Sequence, residues 1–457
     1  MESIFDLYIH EDAYGDLDAE GAVARLAQAL RFETRSADPA PGAFEGLHAH
    51  IRASFPHILA AGRFETFRNA VLITVTGSDA SLKPALFMSH LDVVPVVPGT
   101  EGDWLHGPFS GDVAEGYVWG RGAQDIKQQV FGCLEALEYL LARGFRPRRT
   151  VYLAFGDDEE TLNTGAEMIS DHLLEEGVRL EFVLDEGGGK LRDAAAFGAP
   201  GVLVSDIDLM EKGYADLELS VESRGGHSSR PFGGTSLGIL AEAIAAITAH
   251  PIKPRMDSLL RRAFLALGDC VTDEGIRALL DAEDWDGLAA RCMAEPELFP
   301  YVATTVAPTM IEGGSQAANV LPQNMRAVIN FRLAAGDTPE ALMARCREAV
   351  RDERVKLRFL QANPPSAISE ADSFGYAALL ASLGRFYEGL RFIPLASAGA
   401  TDARRYEQIC PVCLRCSPFF VPEEDEGGVH GTNERLLIRS YLQGIRVLID
   451  LMETTLG

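Results

Sequence analysis

The sequence predicts an α/β fold, in which a mostly parallel sheet flanked by helices carries an inserted, smaller α+β domain. Short apolar runs at residues 84–92, 150–160 and 180–189 each end at a polar or acidic residue, and a helical pattern at 128–144 lies between the first two. Apolar runs of this length are typical of strands buried on both faces. Their alternation with helical patterns indicates a parallel sheet. From residue 207 onward, the strand-like runs alternate apolar and polar residues instead, which is typical of half-exposed strands.

This change of pattern predicts two domains. Residues 1–206 and 363–457 form the larger domain, which begins with an amphipathic helix at about residues 18–32. Residues 207–362 form the inserted domain. Its predicted elements are strands at 213–226, 325–333 and 355–362 and helices at 236–249 and 338–352. An acidic helical stretch at 255–300 also falls in this domain, and the sequence assigns no role to it.

Composition and charge exclude several classes of protein. The chain has 457 residues, of which 47% are hydrophobic and 24% charged, an ordinary globular composition. Its net charge of −26 argues against nucleic acid or an anionic membrane as a general partner. The chain contains no long uninterrupted apolar run, so no membrane span is predicted. The first residues lack the pattern of a signal peptide, and together with the few cysteines this favours a cytoplasmic location.

Cys410, Cys413 and Cys416 lie in the segment CPVCLRC, which can be interpreted as part of a zinc knuckle. A structural zinc site needs four ligands, usually supplied as two separated pairs, and the chain has no second pair. The run ICPVCLRCSPFFVP has the composition of a buried strand, in which cysteine behaves as a small apolar residue. We therefore predict a buried strand here.

Residues with metal-binding side chains follow several of the predicted strands. Ligands of α/β sheets bind outside the carboxyl ends of the strands, so these side chains are expected to meet at one edge. Neutral imidazole and carboxylate together suit zinc, cobalt or manganese. The residues concerned are His90, Asp92, Asp125, Glu159, Glu160, Asp185 and, far downstream, His430. Each signal is weak alone, and their recurrence at independent strand ends predicts a metal site.

Eight motifs in order carry a resemblance to a known family. They are MSHLDVVP, WGRGAQDIK, FGDDEE, LDEGG, GGHSSRP, NVLPQNMRAVINFR, TDAR and VHGTNE, and they span residues 86 to 434. With these motifs the chain resembles the dizinc metallopeptidases that include carboxypeptidase S, glutamate carboxypeptidase, aminoacylase and succinyl-diaminopimelate desuccinylase. TDAR together with LDEGG makes the carboxypeptidase S branch the most similar.

The resemblance implies two divalent metal ions, zinc in the first place, with cobalt and manganese as alternatives. Asp125 would be the carboxylate that bridges both ions, which offsets their mutual repulsion. His90 and Asp185 would complete one site, and Glu160 and His430 the other. The neighbour of Asp185 is a second acidic residue, Glu186, and the position within the motif favours Asp185 as the ligand.

The resemblance also implies the roles of the remaining site residues. Glu159 would be the general base that takes a proton from the attacking water. Asp92 would hold the imidazole of His90 through a hydrogen bond. In the inserted domain, which would serve as a lid and for homodimerisation, His227 would stabilise the oxyanion. Asn319 and Arg332 would bind the carboxylate of the substrate, with Arg332 as a bidentate donor.

These assignments predict a hydrolase that cleaves an amide bond next to a free carboxylate. Its substrate would be a small peptide, or alternatively an N-acyl amino acid. A non-catalytic binding protein on the same scaffold is a rival hypothesis, but every expected catalytic position is filled. A dinucleotide-binding oxidoreductase is suggested by the glycines at 187–189, although the GxGxxG spacing before a helix is missing.

Overall fold

The computed structural model describes residues 13–189, 191–421 and 423–457, and this part of the chain divides into two compact units. Unit 1 comprises the residues up to Ala194 together with Gly201–Met210 and Ala367–Gly457. Unit 2 comprises Ala195–Pro200 and Glu211–Ser366. The main segment of unit 2, Glu211–Ser366, thus begins and ends a few residues after the predicted limits of 207 and 362, and unit 2 also includes the short segment Ala195–Pro200, which the sequence prediction assigned to the larger domain.

The strands fall into four sheets. In chain order they are β1 (Arg63–Phe67), β2 (Ala70–Val75), β3 (Ala85–His90), β4 (Asp112–Ala114), β5 (Tyr117–Trp119), β6 (Val151–Gly156), β7 (Phe182–Asp185), β8 (Leu191–Ala194), β9 (Ala199–Glu211), β10 (Gly213–Glu222), β11 (Gly226–His227), β12 (Thr305–Gly313), β13 (Val320–Leu321), β14 (Asn324–Leu333), β15 (Val355–Asn363), β16 (Arg391–Ser397), β17 (Cys413–Arg415) and β18 (Arg435–Leu437).

The helices lie mainly between these strands, as the alternating pattern predicts. They are α1 (Ala19–Ala29), α2 (Ala43–Ser54), α3 (Pro56–Ala61), α4 (Lys127–Ala142), α5 (Thr164–Glu175), α6 (Ser236–Ala249), α7 (Ser258–Leu267), α8 (Glu274–Asp281), α9 (Trp285–Met293), α10 (Phe299–Val302), α11 (Pro339–Val350), α12 (Phe374–Phe386) and α13 (Ile438–Leu456). Among the described residues, we find no helix with the length and apolar character that a membrane span requires.

The large sheet of unit 1 has the order β1-β2-β6-β3-β7-β17-β9-β16, with β8 beside β9. Its centre is parallel, because β3 pairs in parallel with β6 and β7, and β17 pairs in parallel with β7. Strands β3, β6 and β7 are fully buried, as their continuous apolar sequences predict. Helix α4 packs on β3 and against α13, and nearly all of its side chains are buried. The carboxyl ends of the three central strands therefore meet at one edge.

Unit 2 contains the antiparallel sheet β12-β14-β10-β15. Buried and partly exposed residues alternate along β10, so that Ala215, Leu217, Leu219 and Val221 face the interior of the unit. Side chains of α6 and α11 cover this face and complete an apolar cluster. The half-exposed strands and the two helices predicted from the sequence are therefore confirmed.

Two features of unit 2 go beyond the sequence prediction. Strand β12 lies at an edge of the sheet and is largely exposed, and its pairing with β14 is irregular next to Pro308. The acidic stretch at 255–300 forms helices α7 to α10. Asp257, Asp273 and Asp284 cap three of them, since each side chain accepts a backbone N–H of the first turn. Three of the acidic residues in this stretch thus serve as helix N-caps.

The segment with three cysteines contains the short strand β17, as predicted. Cys410, Cys413 and Cys416 are buried and free, and Cys413 opens the strand. The glycines at 187–189 all have positive φ and follow strand β7. They lead into β8 and not into a helix, so the arrangement of a dinucleotide-binding turn is not formed.

Candidate metal centre

Three parallel strands deliver acidic and histidine side chains to the same edge of the unit 1 sheet. His90 is the last residue of β3, and Glu159 and Glu160 follow β6 after a short turn. Asp185 ends β7, and Glu186 comes directly after it. The predicted convergence at the carboxyl ends of the strands is therefore present in the fold.

Asp125 and His430 reach this edge from a different part of unit 1. Asp125 lies between β5 and α4, and His430 lies in the loop before β18. Strands β5 and β18 pair antiparallel, with Trp119 opposite Arg435, so the two loops are neighbours although about 300 residues of chain separate them. This pairing brings His430, which lies in the last of the eight motifs, to the sheet edge.

Two clusters of ligand-type atoms share the carboxylate of Asp125. In the first cluster, Nε2 of His90 lies 3.3 Å from Oδ1 of Asp125 and 3.3 Å from Oε1 of Glu186. In the second, Nε2 of His430 lies 2.9 Å from Oδ2 of Asp125 and 3.1 Å from Oε1 of Glu160. Each oxygen of Asp125 thus faces a different imidazole, which is the arrangement expected of a bridging carboxylate.

The structure differs from the sequence prediction at one ligand position. The first cluster contains Glu186 and not Asp185. The carboxylate of Asp185 is fully buried and accepts the backbone N–H groups of Glu186 and Ala403, both at 2.8 Å. Successive side chains at a strand end point in opposite directions, so only one of these neighbours can face Asp125. The geometry therefore favours Glu186 over the predicted Asp185 as the ligand residue of the first cluster.

His90 has one ring nitrogen held by protein and the other directed into the first cluster. Its Nδ1 lies 3.0 Å from the carbonyl oxygen and 3.2 Å from Oδ1 of Asp92, where it donates its proton. Nε2 is buried and has no hydrogen-bond partner among the described residues, although two carboxylates face it. A lone pair that faces two anions is unfavourable unless a cation lies between them, so the donor set fits a divalent metal ion.

Asp92 has a second task besides holding His90. Its carboxylate oxygens accept the backbone N–H groups of Glu159 and Glu160 at 3.2 and 3.3 Å. The hydroxyl of Ser36 donates to the same carboxylate at 2.6 Å. One buried aspartate therefore links β3 to the loop that carries the proposed base and one of the ligands.

Burial and mutual charge shift the pKa values of the clustered groups. Burial raises the pKa of Glu186 to about 8. Burial also raises the pKa of Glu159 well above its ordinary value, and the charge of Glu186 adds to this effect. For Asp125, the hydrogen bonds from His430 and His90 outweigh burial, so its pKa is lowered. The hydrogen bonds to Asp125 and Glu160 raise the pKa of His430 to about 10. Perturbation of this kind is typical of functional sites.

Glu434 is the last residue of the motif VHGTNE, and the sequence predicts no role for it. It is completely buried, and its Oε2 accepts a hydrogen bond from Arg121 at 2.6 Å. Its Oε1 accepts the backbone N–H groups of Gly122, Gln124 and Asp125 at 3.0, 2.7 and 3.1 Å. Glu434 thus fixes the turn that carries Asp125. Arg121 and Glu434 are far apart in the chain and come together because β5 pairs with β18. The sequence alone therefore does not reveal their contact.

The three residues predicted for the inserted domain all lie in unit 2. His227 and Asn319 are exposed neighbours, because β11 pairs with β13 and the backbone N–H of Ser228 donates to the carbonyl of Asn319 at 2.9 Å. Nδ1 of His227 lies 2.8 Å from the hydroxyl of Ser229. Arg332 lies on β14, and its guanidinium sits over the ring of Tyr214 at 4.8 Å. The structure brings the first two together and places Arg332 on the neighbouring sheet.

Comparisons with known proteins agree with this architecture. Residues 86–454 match the profile of peptidase family M20/M25/M40. The chain is 34% identical over 419 residues to the N-fatty-acyl-amino acid synthase/hydrolase PM20D1.1 of Danio rerio, with 89% of this chain and 79% of the relative covered. It is 31% identical over 461 residues to probable carboxypeptidase S-like 2 of Dictyostelium discoideum, with 98% and 87% covered.

A solved structure has the same fold. The M20 family metallo-carboxypeptidase Sso-CP2 from Sulfolobus solfataricus superposes with a TM-score of 0.68 at 19% identity, and the match covers 94% of this chain and 98% of that one. The profile match covers most of the chain, and two relatives above 30% identity are aligned over most of their length. The chain is a metal-dependent hydrolase that belongs to peptidase family M20/M25/M40.

Proposed function

We propose that this protein is a dinuclear metal hydrolase that cleaves an amide bond next to a free carboxylate. His90, Asp125 and Glu186 would hold one divalent ion, and Asp125, Glu160 and His430 the other. The observation that carries this proposal is the carboxylate of Asp125, whose two oxygens face two different imidazoles. The mixed nitrogen and oxygen donors fit zinc best, with cobalt and manganese as alternatives.

When bound, the two ions supply Lewis acid chemistry, which lowers the pKa of water and polarises an amide carbonyl. Glu159 would serve as the general base and pass the proton to the leaving amine. Its position supports this role, since its backbone N–H is held by Asp92 directly beside the second ligand cluster. Its raised pKa also supports the role, because proton transfer is most efficient when the base has a pKa near the working pH.

The proposed substrates are small peptides with a free C-terminus. Asn319 and Arg332 would bind the substrate carboxylate, and His227 would stabilise the oxyanion. The support for these three roles is the motif match and the exposure of His227 and Asn319 on their short β-ribbon. We also propose that unit 2 mediates a homodimer, which sedimentation of the full chain tests.

A second candidate substrate class is N-acyl amino acids. The observation that favours it is the 34% identity to a relative whose name describes the synthesis and hydrolysis of N-fatty-acyl amino acids. Both classes place a carboxylate beside the scissile amide, so the same site chemistry serves either. We further propose a cytoplasmic location, which the seven free cysteines support.

The test is a hydrolysis assay with a panel of dipeptides and N-acyl amino acids. Chelation is expected to abolish hydrolysis, and zinc, cobalt or manganese to restore it, with two metal equivalents in the active protein. Glu159→Gln is expected to lower kcat by about 10²–10⁴-fold while both equivalents stay bound. Glu175→Gln, the same substitution at an exposed helix position, serves as control. Hydrolysis that survives complete removal of metal would refute the proposal.

A further inference from the structure

The motif TDAR, to which the proposed function gives no role, forms a short turn of unit 1 beside the end of strand β7. Thr401, Asp402 and Ala403 of this turn are buried. The backbone N–H of Ala403 donates to Oδ2 of Asp185 at 2.8 Å, and the side chain of Thr401 forms a further hydrogen bond with the same carboxylate. The turn is therefore fixed to the strand that delivers Glu186 to the metal centre.

Asp402 holds the loop that carries the proposed base through the amide of Asn163. Nδ2 of Asn163 donates one hydrogen to Oδ1 of Asp402 at 2.9 Å and the other to the carbonyl oxygen of Glu159 at 3.3 Å. The amide cannot be turned over, because its oxygen would then face two acceptors. Asn163 has a φ of 58°, which asparagine adopts more readily than most residues, and its backbone N–H donates to the carbonyl of Asp158 at 2.9 Å. Asn163 thus closes the loop and ties it to the TDAR turn.

The two peptide groups that flank Glu159 are held by different parts of unit 1. The N–H of Glu159 belongs to the peptide group before its Cα and donates to Asp92. Its C=O belongs to the peptide group after the Cα and accepts from Asn163. Each residue has only two soft backbone dihedrals, so holding both peptide groups fixes the direction of the Cα–Cβ bond. The bond from Asn163 therefore supplies a constraint on the base that Asp92 alone does not.

The carboxyl group of Asp402 occupies a position that is unfavourable for stability. Asp402 is only 1% exposed, and its Oδ2 has no hydrogen-bond partner among the described residues. A Cβ at Gly156 would lie 2.2 Å from this oxygen, so the glycine at the end of β6 leaves the room that the carboxyl group needs. A buried carboxyl oxygen without a partner costs stability, so folding alone gives no reason for an aspartate here. Such exceptions are expected where a residue serves function.

We propose that Asp402 and Asn163 are positioning residues that orient the general base Glu159. Asp402 belongs to neither ligand cluster and acts through the amide of Asn163. This inference rests on the proposed function, because it requires Glu159 to be the base. Misplacement of a catalytic group by about 1 Å lowers a rate by up to about a hundredfold, so the loss of these hydrogen bonds should be visible in kcat.

The test measures kcat, KM and metal content of the metal-loaded protein with a dipeptide. Asp402→Ala and Asn163→Gly are each expected to lower kcat by about 10–100-fold, with KM and both metal equivalents unchanged. Glycine is chosen at position 163 because it adopts a positive φ without strain. Asp402→Asn keeps an oxygen acceptor for Asn163 and is expected to retain kcat within about threefold of the wild type. Loss of activity in Asp402→Asn as large as in Asp402→Ala would overturn the inference.

Thr161→Ala is the matched control in the same loop. Thr161 is exposed, and its hydroxyl donates only to the carbonyl of Asp158 at 3.3 Å. Its substitution is expected to leave kcat within about twofold of the wild type. If Thr161→Ala lowered kcat as much as Asn163→Gly, any disturbance of the loop would have the same effect, and the specific role of Asn163 would be refuted.

The background of Glu159→Gln separates positioning from a merely structural role. If Asp402 acts through Glu159, adding Asp402→Ala to Glu159→Gln is expected to lower the residual kcat by less than about twofold, because residues that act as a unit are not additive. A structural role would lower kcat by the same factor in both backgrounds. That equal loss, or wild-type kcat in Asn163→Gly, would overturn the inference.

Hydrogen exchange separates the failure of this inference from the failure of the proposed function. A wild type without metal-dependent hydrolysis refutes the proposed function. The hold on the loop is then judged by the amide exchange of residues 157–163, measured by mass spectrometry. Asp402→Ala and Asn163→Gly are expected to accelerate this exchange by about tenfold or more, and Thr161→Ala to leave it unchanged. Unchanged exchange in the first two variants would refute the positioning role.

Discussion

The buried carboxylate of Asp92 lies 3.2 Å from Nδ1 of His90, and neither side chain is more than 1% exposed. The same carboxylate accepts the backbone N–H groups of Glu159 and Glu160. Asp92 therefore orients the imidazole of one cluster and the loop that supplies the base and a ligand to the other. A change at this residue is expected to affect both clusters at once.

Asp92→Asn is expected to lower metal affinity by about 10–100-fold, the usual effect of losing a partner that orients a metal-binding histidine. Asp92→Ala is expected to be worse, because it also removes the acceptors of the loop N–H groups. Metal affinity measured with a competing chelator and kcat for a dipeptide are the readouts. Ser36→Ala, which removes only one donor to Asp92, is the control and is expected to have a smaller effect. Unchanged affinity in Asp92→Ala would contradict this role.

Substitution of the two neighbouring acids distinguishes their roles. Glu186→Gln is expected to lose about one metal equivalent and at least about a hundredfold in kcat/KM, since it removes a ligand of the first cluster. Asp185→Asn is expected to retain both equivalents but to lower the Tm, because its buried carboxylate anchors two backbone N–H groups. Metal analysis and thermal unfolding of both variants provide the measurement. The opposite pattern would restore Asp185 as the ligand.

Much of the site could be predicted because strands that are buried on both faces have recognisable, continuous apolar sequences. The apolar runs before His90, Glu160 and Glu186 identify buried parallel strands, and parallel strands end at a common edge. The choice between Asp185 and Glu186 escaped prediction. It depends on where strand pairing ends, because this decides which of the two neighbours points toward Asp125. A shift of one residue in the register would direct the other side chain toward Asp125.

The contacts that were missed are those made between distant segments or at exposed edges. Glu434 meets Arg121 only because β5 pairs with β18, and a single sequence does not show pairing at that separation. Strand β12 is mostly exposed and contains Pro308, so it lacks the alternating apolar pattern that marked its neighbours. Proline is tolerated there because an edge strand has unpaired N–H positions.

Metal affinity is expected to rise with pH from about 7 to about 10. In the metal-free protein, burial raises the pKa of Glu186 to about 8, and the hydrogen bonds to Asp125 and Glu160 raise that of His430 to about 10. Both groups therefore hold a proton at pH 7. A metal ion must displace these protons, so binding becomes tighter as the pH approaches and passes each pKa.

Calorimetric titration with cobalt at pH 7, in two buffers with different heats of ionisation, measures the protons released. Wild-type protein is expected to release more than one proton per chain on full loading, and Glu186→Gln about one fewer. Glu175→Gln, at an exposed position outside both ligand clusters, is expected to match the wild type. Affinity that stays constant between pH 7 and pH 9 would contradict this linkage.

The buried pair of Arg121 and Glu434 is expected to control both stability and metal binding. Glu434→Leu leaves the guanidinium and three backbone N–H groups without their acceptor, so it is expected to cost about 3–5 kcal/mol in the free energy of unfolding. Glu434→Gln keeps one oxygen for the N–H groups and is expected to cost less. The turn that carries Asp125 is held by these bonds, so metal affinity should fall in the same order. Urea unfolding and metal titration measure the two effects, with the exposed Glu20→Gln as control. If Arg121→Met restored the stability of Glu434→Leu, the ion pair and not the anchoring of the turn would be the main contribution of Glu434.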